Sequence, residues 1–287
     1  MSVSKYFSKE EALAVHQLTA RLPQADLSLQ NLWQLMDQIW DEMGCDNTAL
    51  DTEKVANYYN HPVWLLNGLF IESHDTSLQH RASISDWIAQ KQIARVLEFG
   101  GGFGTLARMI SDKSANTIID IYEPFPASAA VRCCQDYENI SFVNQFRHKY
   151  DCLVSTDVLE HVPDPLSLLA KMVELVHING YLIIANHFYP SIKCHLPETF
   201  HLRFSFDRFA VVMGLEVLGL CNGSHATIYV KTSECSLNWR KIRRMESRSK
   251  LFFAWKEFDR KHIWPWKIRV KKLIRDSKVA FQKAIKH

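Results

Sequence analysis

The chain carries seven cysteines, an odd number, and none of them stands in a C-x-x-C pair. That excludes a disulfide framework and a zinc ribbon and leaves reduced thiols that serve mainly as core filler. No apolar run approaches the roughly 18 uncharged residues that a membrane span needs. The Met-Ser-Val-Ser-Lys start has no signal-like apolar stretch, so the expected location is the cytoplasm. Glycine (10) and proline (9) are scarce over 287 residues, and only 23% of the chain is charged. With no internal repeat, collagen, coiled coil, solenoid and wholesale disorder are excluded. What remains is a chain that is 47% hydrophobic, enough for one full-sized domain plus an appendage.

Charge is unevenly spread. Residues 237–287 hold 17 Lys+Arg against 4 Asp+Glu, a net +13, which leaves 17 against 27, a net −10, for residues 1–236. An acidic body therefore precedes a basic tail.

Residues 1–90 read as a helical cap: Glu10–Arg21 and Asn31–Met43 place apolar side chains at three- and four-residue steps, with Pro23 breaking the chain between them. Residues 91–236 alternate short β-rich runs with helical stretches. Candidate strands are Arg95–Phe99, Thr117–Tyr122, Ser141–Val143, Cys152–Ser155 and Tyr181–Ala185, followed by a hairpin of Glu216–Cys221 and Ala226–Lys231. Asp164-Pro165 caps a helix to about Val176, and Asn179-Gly180 is expected to end it before the next strand. The fold class is α/β, a Rossmann-like sheet of seven strands with a helical N-terminal extension and a basic helical tail at 237–287.

Chemistry concentrates where the first strand meets a glycine cluster, Glu98-Phe99-Gly100-Gly101-Gly102-Phe103-Gly104-Thr105. Glycines at 100, 102 and 104 permit a tight turn and close approach of a ligand. The dinucleotide fingerprint would need glycine at 105, where Thr105 stands. An acid at the strand end is ill placed beside a pyrophosphate but suits a cationic group, so S-adenosylmethionine fits better than NAD. Glu123, at the end of the second strand, is placed to accept from ribose hydroxyls.

These motifs, together with Asp157-Val158-Leu159-Glu160-His161-Val162-Pro163-Asp164-Pro165, resemble the class I SAM-dependent methyltransferases, and within them the ubiquinone-biosynthesis type of O-methyltransferase, over about residues 90–232. The resemblance implies that Glu98, Gly100, Gly102 and Gly104 hold the methionine end, Glu123 the ribose, and Gln145 the adenine. It also implies that Asp157, Glu160 and His161 lie at the reaction centre, where they can hold a divalent cation: the carboxylates suit magnesium, and the imidazole would also accept manganese or zinc.

His161 is then the candidate base for an acceptor hydroxyl; the alternative is that Glu160-His161 merely shapes its loop. His195 and His201, in the aromatic- and histidine-rich stretch after the fifth strand, are further catalytic candidates. The segment Tyr58–Trp64 reads either as a lid over the cofactor or as core packing. No Asn/Asp-Pro-Pro-Tyr motif of amino-group DNA methyltransferases is present.

In the tail, Trp266, Val270, Leu273, Ile274, Phe281 and Ile285 recur at helical spacing among basic residues. This suits peripheral attachment to an anionic membrane face; RNA binding and intramolecular or oligomer contact stay open. The resulting expectation is O-methylation of a membrane-presented hydroxyl, first of a lipid-linked glycan or surface polysaccharide. The alternatives are a polyprenylated quinone, a tRNA, or a non-catalytic SAM-binding scaffold.

Overall fold

The computed structural model describes residues 3–259. It divides into two units, Met1–Leu237 and Asn238–His287. The tail helix expected over Trp266–Ile285 lies outside the described residues.

The first unit opens with five helices: α1 (Lys9–Thr19), α2 (Leu29–Glu42), α3 (Thr52–Tyr59), α4 (Val63–Ser73) and α5 (Asp75–Gln90). Local chemistry sets their starts. Ser8 and Glu11 form a reciprocal capping box on α1, and the Asp51 carboxylate accepts the first free N–H groups of α3. α2 buries Leu32, Leu35, Met36, Ile39 and Trp40, one apolar stripe at three- and four-residue steps. That stripe packs with Tyr58, Val63, Leu66 and Phe70 into a helical core that also takes in Ile192 and Cys194 from far along the chain. Fully burying side chains of this size is worth roughly 1.5–3 kcal/mol each, so the cap is anchored to the segment after the fifth strand by packing.

The remainder is β1 (Arg95–Phe99), α6 (Thr105–Lys113), β2 (Ile118–Tyr122), α7 (Ser128–Cys134), β3 (Ile140–Phe142), β4 (Tyr150–Thr156), α8 (Pro165–Glu174), β5 (Val176–Ala185), α9 (Phe206–Val212), β6 (Leu215–Leu220) and β7 (Thr227–Lys231). The seven strands pair in the order β3-β2-β1-β4-β5-β7-β6, parallel except for β7, which runs antiparallel to both neighbours. The strand order reverses between β1 and β4, and in such sheets ligands bind outside the carboxyl ends at that point. The inner strands are apolar on both faces, as double coverage by helices requires.

One boundary differs from the sequence reading. α8 stops at Glu174, and Asn179-Gly180 lies inside β5, where the register slips between Val176↔Tyr150 and Tyr181↔Cys152. Asn179 takes φ +65°, and a Cβ on residue 180 would lie 2.9 Å from the Asp151 carbonyl, so this pair makes a bulge. The end of α8 is held instead by Lys231, fully buried on β7, whose Nζ donates to the carbonyls of Val173 and Val176 at 2.9 and 3.0 Å. The second unit is described by α10 (Trp239–Phe258). No helix among the described residues is long and apolar enough to cross a membrane.

Candidate functional site

The glycine turn joins β1 to α6 with φ of +78°, +51° and +66° at Gly100, Gly102 and Gly104. The three glycines answer different demands. A Cβ at 100 would meet the Val158 side chain at 2.4 Å and one at 104 the Cys134 sulfur at 2.6 Å, whereas at Gly102 it would meet nothing. Gly102 is thus the position whose exposed side lies open to a ligand.

Glu98 does not reach that open side. It is buried beneath the turn, its Oε2 accepting the Ala107 N–H at 3.1 Å, and burial pushes its carboxyl up to about 7. Its placement makes it the anchor that holds the first turn of α6 to β1. Glu123 lies at the lip: Oε2 accepts the Gly102 N–H at 3.0 Å, Oε1 the Phe125 N–H at 3.2 Å, and burial raises its pKa. An open glycine with a carboxylate at its side suits a phosphate-free nucleoside, so the residues present fit S-adenosylmethionine. Gln145 is exposed and lines a cavity of about 300 Å³ with Asp120, Ser141, Asn144 and His148, none of them part of the turn. Its neighbour Phe146 instead reaches the strand ends, 5.0 Å from the Tyr122 ring and 6.2 Å from that of Phe99. Nothing in the spacing distinguished Phe146 from Gln145.

The second half of the site begins where β4 ends. A 3-10 turn, Leu159–His161, carries Glu160 and His161, and the segment after β5 brings His195 against them, with the His161 and His195 rings 4.7 Å apart. One donor atom from each of Glu160, His161 and His195 lies within 4.8 Å of the others. His161 Nδ1 is 3.2 Å from the Cys194 carbonyl and 3.1 Å from the Tyr59 hydroxyl, and His195 Nδ1 is 2.7 Å from the Tyr189 carbonyl. A carbonyl can only accept, so this network assigns the proton of each ring to Nδ1 and leaves each Nε2 with a lone pair. Glu160 is fully buried, and its Oε1 accepts the His187 N–H at 2.6 Å.

Burial, reinforced by His195, pushes His161 down to about 3, and burial lowers His195 as well. Burial and the Asp157 charge hold the Glu160 carboxyl far above the usual range. Two neutral imidazoles with free lone pairs therefore face one buried carboxyl. Imidazoles held this low offer lone pairs at any physiological pH and are weak proton acceptors.

Asp157 remains beside Glu160, whose carboxyl its charge and hydrogen bond raise, and meets His225 on its other side. It takes φ +55° two residues before the turn begins, its side chain is half exposed, and its Oδ1 lies 4.0 Å from His225 Nε2. Burial works to raise its pKa, but the hydrogen bond and charge of His225 win and hold it below the usual value. His225, on the β6–β7 turn, and its partner His80 on α5, 2.8 Å away between Nδ1 atoms, carried no sequence signal that joined them to Asp157. His201 lies buried in the 3-10 stretch Pro197–Phe204. Of the segment read as lid or core, both readings have content. Tyr59 and Trp64 belong to the helical core, yet Tyr59 bonds His161 and stacks on Phe125 at 5.8 Å, and the Trp64 ring is 6.3 Å from that of His161.

The sheet order, the glycine turn at its reversal point and the acid beyond β2 define the class I methyltransferase fold. Residues 75–219, just over half of the chain, match the methyltransferase domain family, and the chain belongs to that family. It is similar to the ubiquinone biosynthesis O-methyltransferase of Erwinia tasmaniensis, 33% identical over 109 residues that make up 33% of this chain and 44% of the relative. The enzyme of the same name from Yersinia enterocolitica is 28% identical over 166 residues, 50% of this chain and 65% of the relative. The chain thus spans between 44% and 65% of the length of these two curated relatives. Among solved structures it is similar to an O-methyltransferase family protein from Burkholderia thailandensis (13% identity, TM-score 0.45, 72% of this chain and 73% of the other). It is also similar to mitomycin 7-O-methyltransferase (15%, TM-score 0.49, 79% and 76%).

Proposed function

We propose that the chain is an O-methyltransferase whose acceptor is a ring hydroxyl of a polyprenylated, quinone-type molecule presented at an anionic membrane surface. The observation that carries the reading is the meeting of Glu160, His161 and His195 beside β4, next to the strand end that leads into the glycine turn. When bound, S-adenosylmethionine supplies an electrophilic methyl on a sulfonium, and the departing thioether needs no proton. The chain's own residues do the rest. Gly102 and Glu123 hold the nucleoside, Glu98 fixes the turn from below, and Glu160, His161 and His195 receive the acceptor hydroxyl and its proton. Tyr59, Phe125 and Trp64 wall the centre with ring faces and edges, which keeps water out and suits a flat acceptor.

Those aromatic walls, and the ubiquinone-biosynthesis names of the curated relatives, favour a quinone-type phenol over the saccharide expected from the sequence. Membrane presentation is supported by α10, where Arg240, Arg244, Arg248, Leu251 and Trp255 follow at three- and four-residue steps. All five are exposed, Leu251 by 72% and Trp255 by 54%. A row that is basic in its first turns and apolar in its last matches a lipid headgroup boundary.

The test supplies S-adenosylmethionine and, in parallel, a prenylated hydroxyquinol in anionic vesicles, a lipid-linked sugar and bulk tRNA. Mass spectrometry should find one added CH₂ on the quinol alone. Methylation of the sugar or the tRNA in its place refutes the acceptor assignment, and no product on any of the three refutes the enzyme reading for these classes.

A further inference from the structure

We infer that Phe103 is a positioning residue: seated in a notch at Gly68 of α4, it ties the glycine turn to the acceptor centre, so that donor binding sets where the cap presents Trp64 and Tyr59. The inference rests on the proposed reading that the donor lies on the glycine turn, and not on the identity of the acceptor.

Gly102 and Phe103 are the two central residues of one turn, closed by the Gly104 N–H, which donates to the Gly101 carbonyl at 2.8 Å. They face different ways. Gly102 is open to a ligand, whereas Phe103 is buried and packs with Leu65 of α4 and with Ala129, Ala130 and Cys133 of α7, its ring 6.2 Å from that of Phe7. A ligand that fixes the main chain at 102 therefore bears on the ring of the next residue.

The receiving position on α4 is shaped for that ring. A Cβ on Gly68 would lie 2.2 Å from the Phe103 ring, an overlap that no side chain tolerates. A glycine in mid-helix costs roughly 1 kcal/mol against alanine, and at Gly68 the ring that fills the place of the missing Cβ accounts for it.

The same helix face makes two further contacts. One turn after the notch, Glu72 accepts from the Thr105 hydroxyl at 2.5 Å and pairs with Arg108, so α4 also grips the first turns of α6. One turn before it stands Trp64, whose ring is 6.3 Å from that of His161 and 5.1 Å from that of Tyr59. Residues four apart share a helix face, so about 6 Å of α4 separates its contact with the glycine turn from its contact with the acceptor centre. A helix of this length moves as a stiff element, and a ring that leaves the notch moves Trp64 with it. Such coupling is reciprocal: acceptor binding strengthens the hold on the donor by the same factor.

The experiment follows amide hydrogen exchange over residues 63–73 of the full-length chain, with and without saturating S-adenosylhomocysteine, and needs no acceptor. In wild type the ligand should slow exchange there at least about fivefold, the lower end of typical coupling. Gly68→Ala, which drives the ring from the notch, and Phe103→Ala, which removes it, should each reduce the slowing to less than about twofold. Adding Phe103→Leu to Gly68→Ala nearly conserves the packed volume and should restore most of it. Calorimetric binding of the same ligand shows that each variant is folded; should a single variant fail that control, Phe103→Leu takes its place.

A merely structural role would raise exchange in the ligand-free variants and leave the ligand-induced change in place. That pattern, or no slowing in a wild-type chain that binds the ligand, overturns the inference. A chain that takes up no S-adenosylhomocysteine refutes the donor reading and the inference with it. Quinol left unmethylated by a chain whose α4 responds as expected removes the acceptor assignment and leaves the inference standing.

Discussion

The two sides of the cleft are built on different principles. On the glycine side, the candidate site rests on the course of the main chain: positive φ at three glycines, an N–H from Gly102 to Glu123, and a carboxylate buried beneath the turn. On the β4 side it rests on side chains from three distant stretches, Tyr59 and Trp64 from the cap, Glu160 and His161 after β4, and His195 after β5. A main-chain site is contiguous in sequence and is broken by adding atoms. A side-chain site is scattered and is broken by removing them.

Substitutions can set these halves against each other. The largest effect is expected from His161→Ala, which should lower methyl transfer about 10²–10⁴-fold while leaving calorimetric binding of S-adenosylhomocysteine within error of wild type. A parallel loss of both would mean that the halves are one unit.

Next comes Glu98. Its carboxyl is raised from the ordinary 4.5 to about 7 in the fold, so the folded chain binds the proton more tightly. Stability from this group is present in full below about pH 4.5 and is lost as pH climbs through 7, by about 3 kcal/mol in all. Thermal unfolding of wild type should fall over that window and that of Glu98→Gln should fall less steeply, the remaining slope coming from Glu123 and Glu160, which are raised too; identical profiles would show that Glu98 ionises freely.

Adding a single methyl group sharpens the contrast within the turn. Gly104→Ala should cost about 1–2 kcal/mol for its left-handed backbone, plus the overlap with Cys134, measured by urea unfolding. Gly102→Ala, with open space around it, should lose donor affinity with a smaller loss of stability. The smallest effect is expected from Tyr59→Phe, which removes one of two partners of His161 Nδ1 and should slow transfer less than about tenfold. A hundredfold loss would move Tyr59 into the reaction itself.

This asymmetry explains what could be read in advance. The glycine turn, Glu123 and the alternating strands follow local rules of spacing and conformation, and they stand where the sequence placed them. Asp157, Glu160 and His161 lie close along the chain, but positive φ at Asp157 before a 3-10 turn, and not a helical turn, sets how they meet, with Asp157 between Glu160 and His225. His187 and His225 have no spacing signal, since each is brought to the site by how β5 and β7 pair.

By itself the sequence determined the α/β alternation, the strand-turn-helix that receives a nucleoside and the basic character of the tail, because periodicity, glycine conformation and charge act within a few residues of their origin. The tertiary structure alone decided which histidines meet Glu160, which nitrogen each of them presents and why Asp157 is turned toward His225. Those outcomes depend on contacts between segments far apart in the chain, and the packing that sets them has no period along it.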